Sequence, residues 1–225
     1  MSTITLKNTI YKNKLLLDFL DHSTKLSSFH NGSSLDMIDE NFMRNRDLHI
    51  DQRKILVNTL VTQYDNIGEE IPSGVYQLEK KGVYSVTTGH QLCFMGGPQF
   101  FIHKIISTIK SCQLLKEKHP QNDFIPIFWM ATEDHDFQEI SHTTIFGKKF
   151  LLEDTMDTVA VGRLKSSVFQ SLHEEVKEFF KTDEKFKILE DLFEKAMSFE
   201  SWSKTTRYWV HHLFKDYGLV ILDAD

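Results

Sequence analysis

The sequence is poor in cysteine and proline, and it has no long apolar run. Its 225 residues include two cysteines, Cys93 and Cys112, without a CxxC spacing, which argues against an oxidising compartment. Four prolines against 18 phenylalanines indicate a well-filled core with few rigid linkers. The apolar runs are shorter than a membrane span, and the N-terminal stretch MSTITLKNTIYKNK lacks the apolar region of a secretory signal. We therefore expect a cytoplasmic protein with no membrane partner.

The sequence has fewer positively than negatively charged residues. The 26 Lys and Arg residues face 32 Asp and Glu residues, for a formal net charge of −6 at pH 7. This balance argues against a broad nucleic-acid footprint and against a tRNA-handling protein. An apolar fraction of 40% and a charged fraction of 26% are ordinary for a globular protein, and the length allows one large domain or a domain with appendages.

A strand–helix–strand pattern stands out between Val83 and Glu139. A β-branched run flanked by Gly82 and Gly89 predicts a buried strand, and the apolar run from Phe124 to Met130 predicts a second one. Between them, a helix is predicted to begin at Pro98 and to end near His119 and Pro120, with its apolar residues at helical spacing: Ile102, Ile105, Ile106, Ile109 and Cys112. The crossover makes the two strands parallel, so the sequence predicts an α/β fold.

Two polar loops follow these two strands. The first contains Thr88, Gly89, His90 and Gln91, and the second runs from Thr132 to Asp136. Open α/β sheets bind ligands outside the carboxyl ends of their strands. We therefore expect both loops to face one crevice that forms the functional site.

The first loop offers two chemical features. His90 could donate a hydrogen bond to developing charge or transfer a proton near neutral pH, or it could merely stabilise the loop. Gly96 and Gly97, followed by a helix start, could bind an anion such as phosphate or carboxylate, or could simply form a tight turn. Cys93 allows a nucleophile interpretation, although a lone cysteine between apolar residues is more often a small buried side chain.

The second loop is an acidic cluster. Glu133, Asp134, His135 and Asp136 are consecutive, and Glu139 and His142 follow shortly after. Like charges raise one another's pKa, which favours a general base. A divalent ion held by carboxylates with His135 and His142, or a solvated charge run, is the alternative, and no zinc signature such as HExxH is present.

Further helices and strands are predicted before and after this strand–helix–strand unit. A helix is predicted through Leu15 to Leu20, a turn at Asn31 to Ser34 that caps a helix at Leu35, and a β-hairpin around Gly147 and Lys148. Helices are predicted between Ser166 and Ser198 and from Ser201 to Tyr217, and a strand from Leu219 to Leu222. The expected organisation is a helical arm packed on the core (residues 1–73), the βαβ start of the core (74–142), an inserted hairpin and helical segment (143–200), and a return helix and strand (201–225). A final parallel strand calls for a further loop and helix, so we expect an N-terminal fragment of a longer protein.

The stretches TTGHQLCFMGGPQFFIHK and PIFWMATEDHDFQEISH resemble those of the bacillithiol-biosynthesis cysteine-adding enzymes, or cysteine ligases. Thr88, Gly89 and Gln91 match a TGQQ-type loop in which His90 replaces the usual glutamine. The GGP helix start is matched by residues 96–98 and the EDHD motif by residues 133–136, with His142 close behind. The segment around Arg163 resembles a weaker family segment.

This resemblance implies a Rossmann-like parallel sheet with helices on both faces, inserted connecting segments, and a coiled coil linked to homodimer formation in the full-length protein. It implies the addition of L-cysteine to glucosaminyl malate, which forms the amide bond of bacillithiol. Activation of the carboxylate would come most simply from ATP, and Asp134 or His135 would accept the proton of the sugar amine. No metal is predicted. The expected substrate- or anion-binding residues are Thr88, Gly89, His90, Gln91, Gly96, Gly97, Glu133, Asp136, His142 and Arg163.

Two other functions stay open on the sequence alone. The chain could be a non-catalytic module that binds a small anion or mediates dimerisation. It could also be a metal-dependent hydrolase built on the acidic cluster.

Overall fold

The computed structural model describes residues 13–29, 35, 38–152 and 159–225. The chain divides into two compact units, Met1–Leu48 and His49–Asp225. In the first unit, α1 (Lys14–Leu20) confirms the predicted helix, and the side chain of Asn13 caps it by accepting from the Leu16 amide. A second helix, α2 (Glu40–Arg44), is capped in the same way by Asp39. The predicted turn at residues 31–34 and the helix it would cap lie outside the described residues, and the predicted domain boundaries stay predictions.

The second unit contains the sheet and most of the helices. Its elements in chain order are α3 (Ile50–Asp65), α4 (Ser73–Gln77), β1 (Val83–His90), α5 (Phe100–Lys118), β2 (Asp123–Met130), α6 (Phe137–Ile140), β3 (His142–Ile145), β4 (Lys148–Leu151), α7 (Gln170–Phe179), α8 (Glu184–Met197), α9 (Trp202–Phe214) and β5 (Val220–Asp223).

The central sheet has the strand order β1-β2-β5, and both pairings are parallel. The predicted βαβ unit is therefore confirmed as β1–α5–β2. The predicted strand from Leu219 to Leu222 is confirmed as β5, which pairs with β2 over four residues, from Ile127↔Val220 to Met130↔Asp223. The chain thus has an α/β fold built on a parallel sheet.

β2 and β5 are largely buried, which explains why these two strands are apolar runs without clean alternation. The expectation of a buried strand is wrong for β1, whose Ser85 and Thr87 are exposed, because β1 lies at an edge of the described sheet. Ile127 and Val220 point into an apolar cluster that includes residues of α3 and α4. Phe128 and Ile221, one position along each strand, point into a second cluster with residues of α5 and α9. Because successive strand side chains alternate between faces, helices cover both faces of the sheet, as the family resemblance implies.

The start of α5 differs from the prediction. The helix begins at Phe100 rather than at Pro98, and Gln99 occupies the cap position. The two preceding glycines are shaped by packing. A Cβ on Gly97 would lie 2.5 Å from Thr143 Oγ1, and a Cβ on Gly96, which has φ of 70°, would lie 3.0 Å from Trp209. The predicted end is confirmed, since the helix ends at Lys118 with His119 as its C-cap.

Two further predictions concern the segment after β2. The hairpin is confirmed as β3 and β4, joined by Phe146 and Gly147 with φ of 49° and 81°, which are the left-handed values that a tight hairpin turn requires. The helical stretch between Ser166 and Ser198 contains α7 and α8, which are separated at Asp183, the cap of α8. Over the described ranges of the chain, every helix is too short or too polar to cross a membrane.

Candidate active site

The carboxyl ends of the three parallel strands lie side by side. His90 of β1 is in register with Met130 of β2, and Met130 is in register with Asp223 of β5. The loops that follow β1 and β2 are joined directly, because Gln91 Nε2 donates a hydrogen bond to Asp134 Oδ2. The prediction that these two loops share one edge of the sheet is confirmed.

Asp134 is the acidic residue that connects the loops. Its Oδ1 accepts a hydrogen bond of 2.6 Å from the His135 backbone amide, and its Oδ2 accepts from Gln91. The hydrogen bond from the His135 amide, followed by the one from Gln91, lowers the pKa of the Asp134 carboxyl. The predicted increase of pKa in the acidic cluster is therefore wrong for Asp134, which is an exposed carboxylate held in its ionised form.

The other residues of the acidic cluster have different surroundings. Asp136 caps α6, with its Oδ1 accepting from the Glu139 amide at 3.1 Å, so its carboxylate already has a local structural role. Glu133 and His135 are exposed. His142 begins β3, and its Nδ1 lies 3.0 Å from the Gln138 carbonyl oxygen. Among the four consecutive residues from Glu133 to Asp136, Asp134 is thus the one whose side chain is observed to contact the first loop.

Thr132 forms buried hydrogen bonds at the same edge of the sheet. Its buried hydroxyl donates to Asp223 Oδ1 and accepts from the backbone amides of Ala224 (3.2 Å) and Asp225 (3.0 Å). One hydroxyl therefore links the loop after β2 to the residues that follow β5. This role of Thr132 could not be predicted from the sequence, because it depends on a contact with a residue 91 positions away.

A turn from Val161 to Arg163 docks on this loop. The Gly162 amide donates to the Thr132 carbonyl at 2.9 Å, and the Val161 amide donates to the Asp134 carbonyl at 2.7 Å. A Cβ on Gly162 would lie 2.5 Å from the Thr132 Cβ, so this close approach requires glycine. The turn brings the predicted site residue Arg163 to the carboxyl edge, where it pairs with Asp225 and lowers the pKa of that carboxyl.

The first loop brings a histidine and a thiol together, and an ammonium group from α5 contacts the end of β1 beside them. His90 is half-buried, and burial lowers the pKa of its imidazole, which favours the neutral ring. Its Nδ1 lies 3.1 Å from the Gln91 carbonyl oxygen and 3.6 Å from Cys93 Sγ. Lys104 of α5 donates to the Gly89 carbonyl at the end of β1. Sequence reasoning did not select Lys104, although its place one turn into the helix that follows the loop is a usable signal.

Cys93 does not have the properties of a nucleophile. Its side chain is fully buried, and burial raises the pKa of the thiol to about 12, so the reactive thiolate is disfavoured near neutral pH. Its closeness to His90 matters for a different reason. One ligand atom each of His90, Cys93 and Glu139 lie within 4.8 Å of one another, a grouping that could hold a metal ion. The metal site considered from the sequence used His135 and His142. Among the described residues, the group with metal-ligand spacing is His90, Cys93 and Glu139 instead.

Gly96 and Gly97 do not fit the phosphate-binding role expected of them. Their amides donate to the carbonyl oxygens of Cys93 and Phe94, each at 3.1 Å, so neither hydrogen points to a ligand. Thr88 and Gly89 lie within β1, in register with Phe128 and Trp129. These residues shape the loop, and their predicted contact with substrate stays a prediction.

A separate pocket opens at the opposite end of the sheet. It has a volume of about 440 Å³ and includes residues near the start of β2 and the residues before β5. Its lining includes Ser73, Gly74, Cys112, Lys116, Phe124 and Tyr217. The sequence-predicted site residues are absent from this lining, so the two ends of the sheet are distinct candidates for ligand binding.

Comparison with known proteins agrees with this architecture. A family model described as "Bacillithiol biosynthesis BshC, N-terminal Rossmann-like domain" matches residues 1–225. A relative from Flavobacterium psychrophilum named "Putative cysteine ligase BshC" is 36% identical over 233 residues, which cover 99% of this chain and 43% of the relative. Relatives of the same name from Cytophaga hutchinsonii and Staphylococcus epidermidis are 34% and 31% identical, over 99% and 64% of this chain and 41% and 28% of the relatives. The chain spans about two fifths of the length of the first two relatives.

Proposed function

Since the chain belongs to the bacillithiol biosynthesis BshC family and carries its N-terminal Rossmann-like domain, we propose that it forms the catalytic edge of a cysteine ligase. The reaction proposed is the addition of L-cysteine to glucosaminyl malate in the cytoplasm, with formation of an amide bond. The observation that carries the proposal is the hydrogen bond between Gln91 and Asp134, which joins two motif-bearing loops at the carboxyl edge of a parallel sheet.

Amide formation sets two chemical requirements. The carboxylate of cysteine is a poor electrophile, so it must be activated, and ATP is the simplest source of that activation. The amine of glucosaminyl malate must lose its proton before it can attack. The Gly96 and Gly97 amides do not support a phosphate site, because both donate their hydrogens to carbonyl oxygens of the same loop. The residues of this chain therefore support the second requirement, the handling of the amine.

Asp134 is placed to bind that amine. Two hydrogen bonds fix its carboxylate and keep it ionised, so it can attract the ammonium form of the sugar amine and orient it. The adjacent His135 accepts the proton in this proposal, since imidazole exchanges protons near neutral pH. Gln91 acts as a positioning residue, because it contacts the carboxylate from the neighbouring loop.

Arg163 is the proposed contact for the malate part of the substrate. The docked turn holds it at the same edge, and its side chain is 64% exposed although it pairs with Asp225. Its Nε and Nη2 groups already donate to the two carboxylate oxygens of Asp225, so the malate carboxylate is proposed to bind at Nη1 or to take the place of Asp225. Lys104 of α5 is half-buried and donates to the Gly89 carbonyl, so it adds positive charge to an edge whose other charged side chains are mostly acidic.

Product formation tests the proposal. This chain, and a chimera that joins it to the remaining length of the Flavobacterium psychrophilum relative, would be supplied with L-cysteine, glucosaminyl malate and ATP, and the thiol product measured by mass. We expect product from the chimera and a loss of about 100-fold or more for Asp134→Asn, the size typical of a lost acid–base or positioning carboxylate. Asp123→Asn, an exposed aspartate at the other end of β2, is the matched control and should keep the activity.

Two results would overturn the proposal. Absence of product from the chimera, with and without ATP, would favour the small-anion-binding or dimerisation module. Equal activity of the Asp134→Asn and Asp123→Asn chimeras would show that the Asp134 carboxylate takes no part in the reaction. The homodimer and the coiled coil implied by the resemblance belong to the same proposal, and the mass of the active chimera in solution tests them.

A further inference from the structure

Three side chains with metal-binding atoms meet beside the candidate active site. His90 is the last residue of β1, Cys93 lies in the loop after it, and Glu139 lies in α6, 46 residues from Cys93. A ring nitrogen of His90, the Cys93 sulfur and a carboxylate oxygen of Glu139 all lie within 4.8 Å of one another. Three separate segments of the chain thus bring nitrogen, sulfur and oxygen ligands to one point.

We propose that His90, Cys93 and Glu139 bind one zinc(II) ion. Zinc accepts cysteine sulfur, histidine nitrogen and carboxylate oxygen in the same site, whereas magnesium and calcium prefer sites made of oxygen atoms alone. The proposal concerns metal binding by this chain and does not rest on the proposed ligase activity.

The observed spacing agrees with tetrahedral coordination. With Zn–S of about 2.3 Å and Zn–N of about 2.05 Å, two ligands of a tetrahedral zinc ion lie about 3.6 Å apart. The Nδ1 of His90 lies 3.6 Å from Cys93 Sγ. These two ligand atoms therefore need little movement to coordinate an ion.

The three ligands differ in their exposure to solvent. The Cys93 side chain is fully buried, and its backbone carbonyl accepts from the Gly96 amide, so the sulfur has a defined position. The Glu139 backbone carbonyl oxygen lies 3.8 Å from that sulfur, and Glu139 is exposed, with a carboxylate oxygen within 4.8 Å of the other two ligand atoms. Over the described ranges, no fourth His, Cys, Asp or Glu joins this group. The fourth position of the zinc ion is thus open to water or an external ligand, as in catalytic zinc sites.

The competing account is a thiol that is hydrogen-bonded and binds no metal. In that account, His90 Nδ1 donates to the Gln91 carbonyl oxygen, 3.1 Å away, and the Cys93 thiol donates to the Glu139 carbonyl oxygen. Coordination through Nδ1 instead requires the proton to be on Nε2 and gives up that donation. The two accounts differ in whether the protein retains zinc.

Zinc retention separates them, and the second cysteine provides a matched control. The purified chain would be stripped with a chelator, equilibrated with zinc chloride, freed of excess metal, and measured for zinc by mass spectrometry and for affinity by competition with a chromogenic chelator. Cobalt(II) would be used in parallel, because a thiolate–cobalt charge-transfer band reports directly on sulfur coordination. The variants are Cys93→Ser, His90→Gln, Glu139→Gln and Cys112→Ser; Cys112 is equally a buried thiol but lies in α5, outside the group.

We expect near-stoichiometric zinc in the unaltered chain and in Cys112→Ser. Loss of an outer partner of a metal ligand weakens affinity about 10- to 100-fold, so loss of a ligand should weaken it at least tenfold. The Cys93→Ser variant should also lose the cobalt charge-transfer band. His90→Gln places the glutamine of the resembling family loop at this position, and circular dichroism of the metal-free variants checks that each one folds. Absence of retained zinc in the unaltered chain, or equal zinc affinity of folded Cys93→Ser and Cys112→Ser, would overturn the proposal.

Discussion

The loops that follow β1 and β2 lie side by side, yet one is part of the core and the other faces solvent. In the loop after β1, Leu92, Cys93 and Phe94 have no exposed surface, and the Trp202 indole donates to the Leu92 carbonyl at 2.7 Å. In the loop after β2, the residues from Glu133 to Asp136 are all exposed. The first loop is therefore held by the fold and the second displays charge at the edge. Gln91, which reaches from the first loop to Asp134, couples the two.

The largest expected effect comes from the buried loop. Phe94 is fully buried and stacks on Trp202, with ring centroids 6.0 Å apart and planes within 3°. Phe94→Ala should lower the free energy of unfolding by about 3–5 kcal/mol, because it leaves a cavity. Phe146→Ala, at a ring that is 86% exposed, should change it by less than about 1 kcal/mol. Urea denaturation measures both, and equal losses would contradict the distinction between buried and exposed positions.

The next effect is a pH dependence that originates in the same loop. The pKa of the Cys93 thiol is raised to about 12 in the folded protein, against a usual value of 9.0. The unfolded chain releases this proton first, so the stabilisation is complete below pH 9 and is lost as the pH rises from 9 towards 12. For the metal-free chain at pH 10.5, the loss is about 2 kcal/mol from this thiol. Urea denaturation in chelator at pH 8 and 10.5 should show a smaller decrease for Cys93→Ala than for the unaltered chain; an unchanged decrease would contradict the assignment.

A somewhat smaller effect is expected at the turn that docks on the exposed loop. Gly162→Ala would place a Cβ 2.5 Å from the Thr132 Cβ and push the turn away from the sheet edge. The expected loss is about 1–3 kcal/mol of unfolding free energy, as for other overpacked sites. Gly89→Ala is the control, since its Cβ would meet the Trp129 carbonyl oxygen at an ordinary 3.5 Å. A Gly162→Ala protein as stable as Gly89→Ala would show that the turn does not pack as described.

The smallest effect tests the coupling between the loops. Removal of the Gln91 amide in Gln91→Ala should raise the pKa of Asp134 towards its ordinary value, because one of its two main hydrogen bonds is lost. The lowered pKa stabilises the fold above the ordinary pKa of an aspartate, and this stabilisation is lost as the pH falls through the folded value. A carbon-13 NMR titration of the carboxyl group measures the shift, with Gln138→Ala, at an exposed position of α6, as the control. An Asp134 titration that is identical in both variants would contradict the statement that the Gln91 hydrogen bond lowers the pKa of Asp134.

Much of the fold could be predicted because it depends on local patterns. The apolar runs that became β2 and β5 are largely buried, and the spacing of Ile105, Ile109 and Cys112 follows from one helix packing on the sheet. The burial of β1 could not be predicted in this way, because its exposed Ser85 and Thr87 reflect its place at an edge of the sheet. The shared edge followed from the parallel crossover alone. The start of α5 was misplaced because the preference of proline for helix starts takes no account of Thr143, which packs against Gly97 from β3.

The properties of the site were harder to predict because they depend on distant contacts. Counting charges in the acidic cluster predicted a raised pKa, but the two hydrogen bonds to Asp134 reverse the direction. The His90, Cys93 and Glu139 group combines residues of β1, the loop after it and α6, and Thr132 contacts Asp223 across 91 positions. None of these pairings has a periodic signal in the sequence.

The central claim is that the carboxyl edge, and not the pocket at the opposite end of the sheet, receives the substrate. Titration of the isotope-labelled chain with glucosaminyl malate, followed by amide chemical shifts, tests it directly. The account predicts that the largest shifts occur at Gln91, Asp134, His135 and Arg163. Shifts concentrated at Ser73, Gly74, Lys116 and Tyr217, which line the opposite pocket, would contradict it.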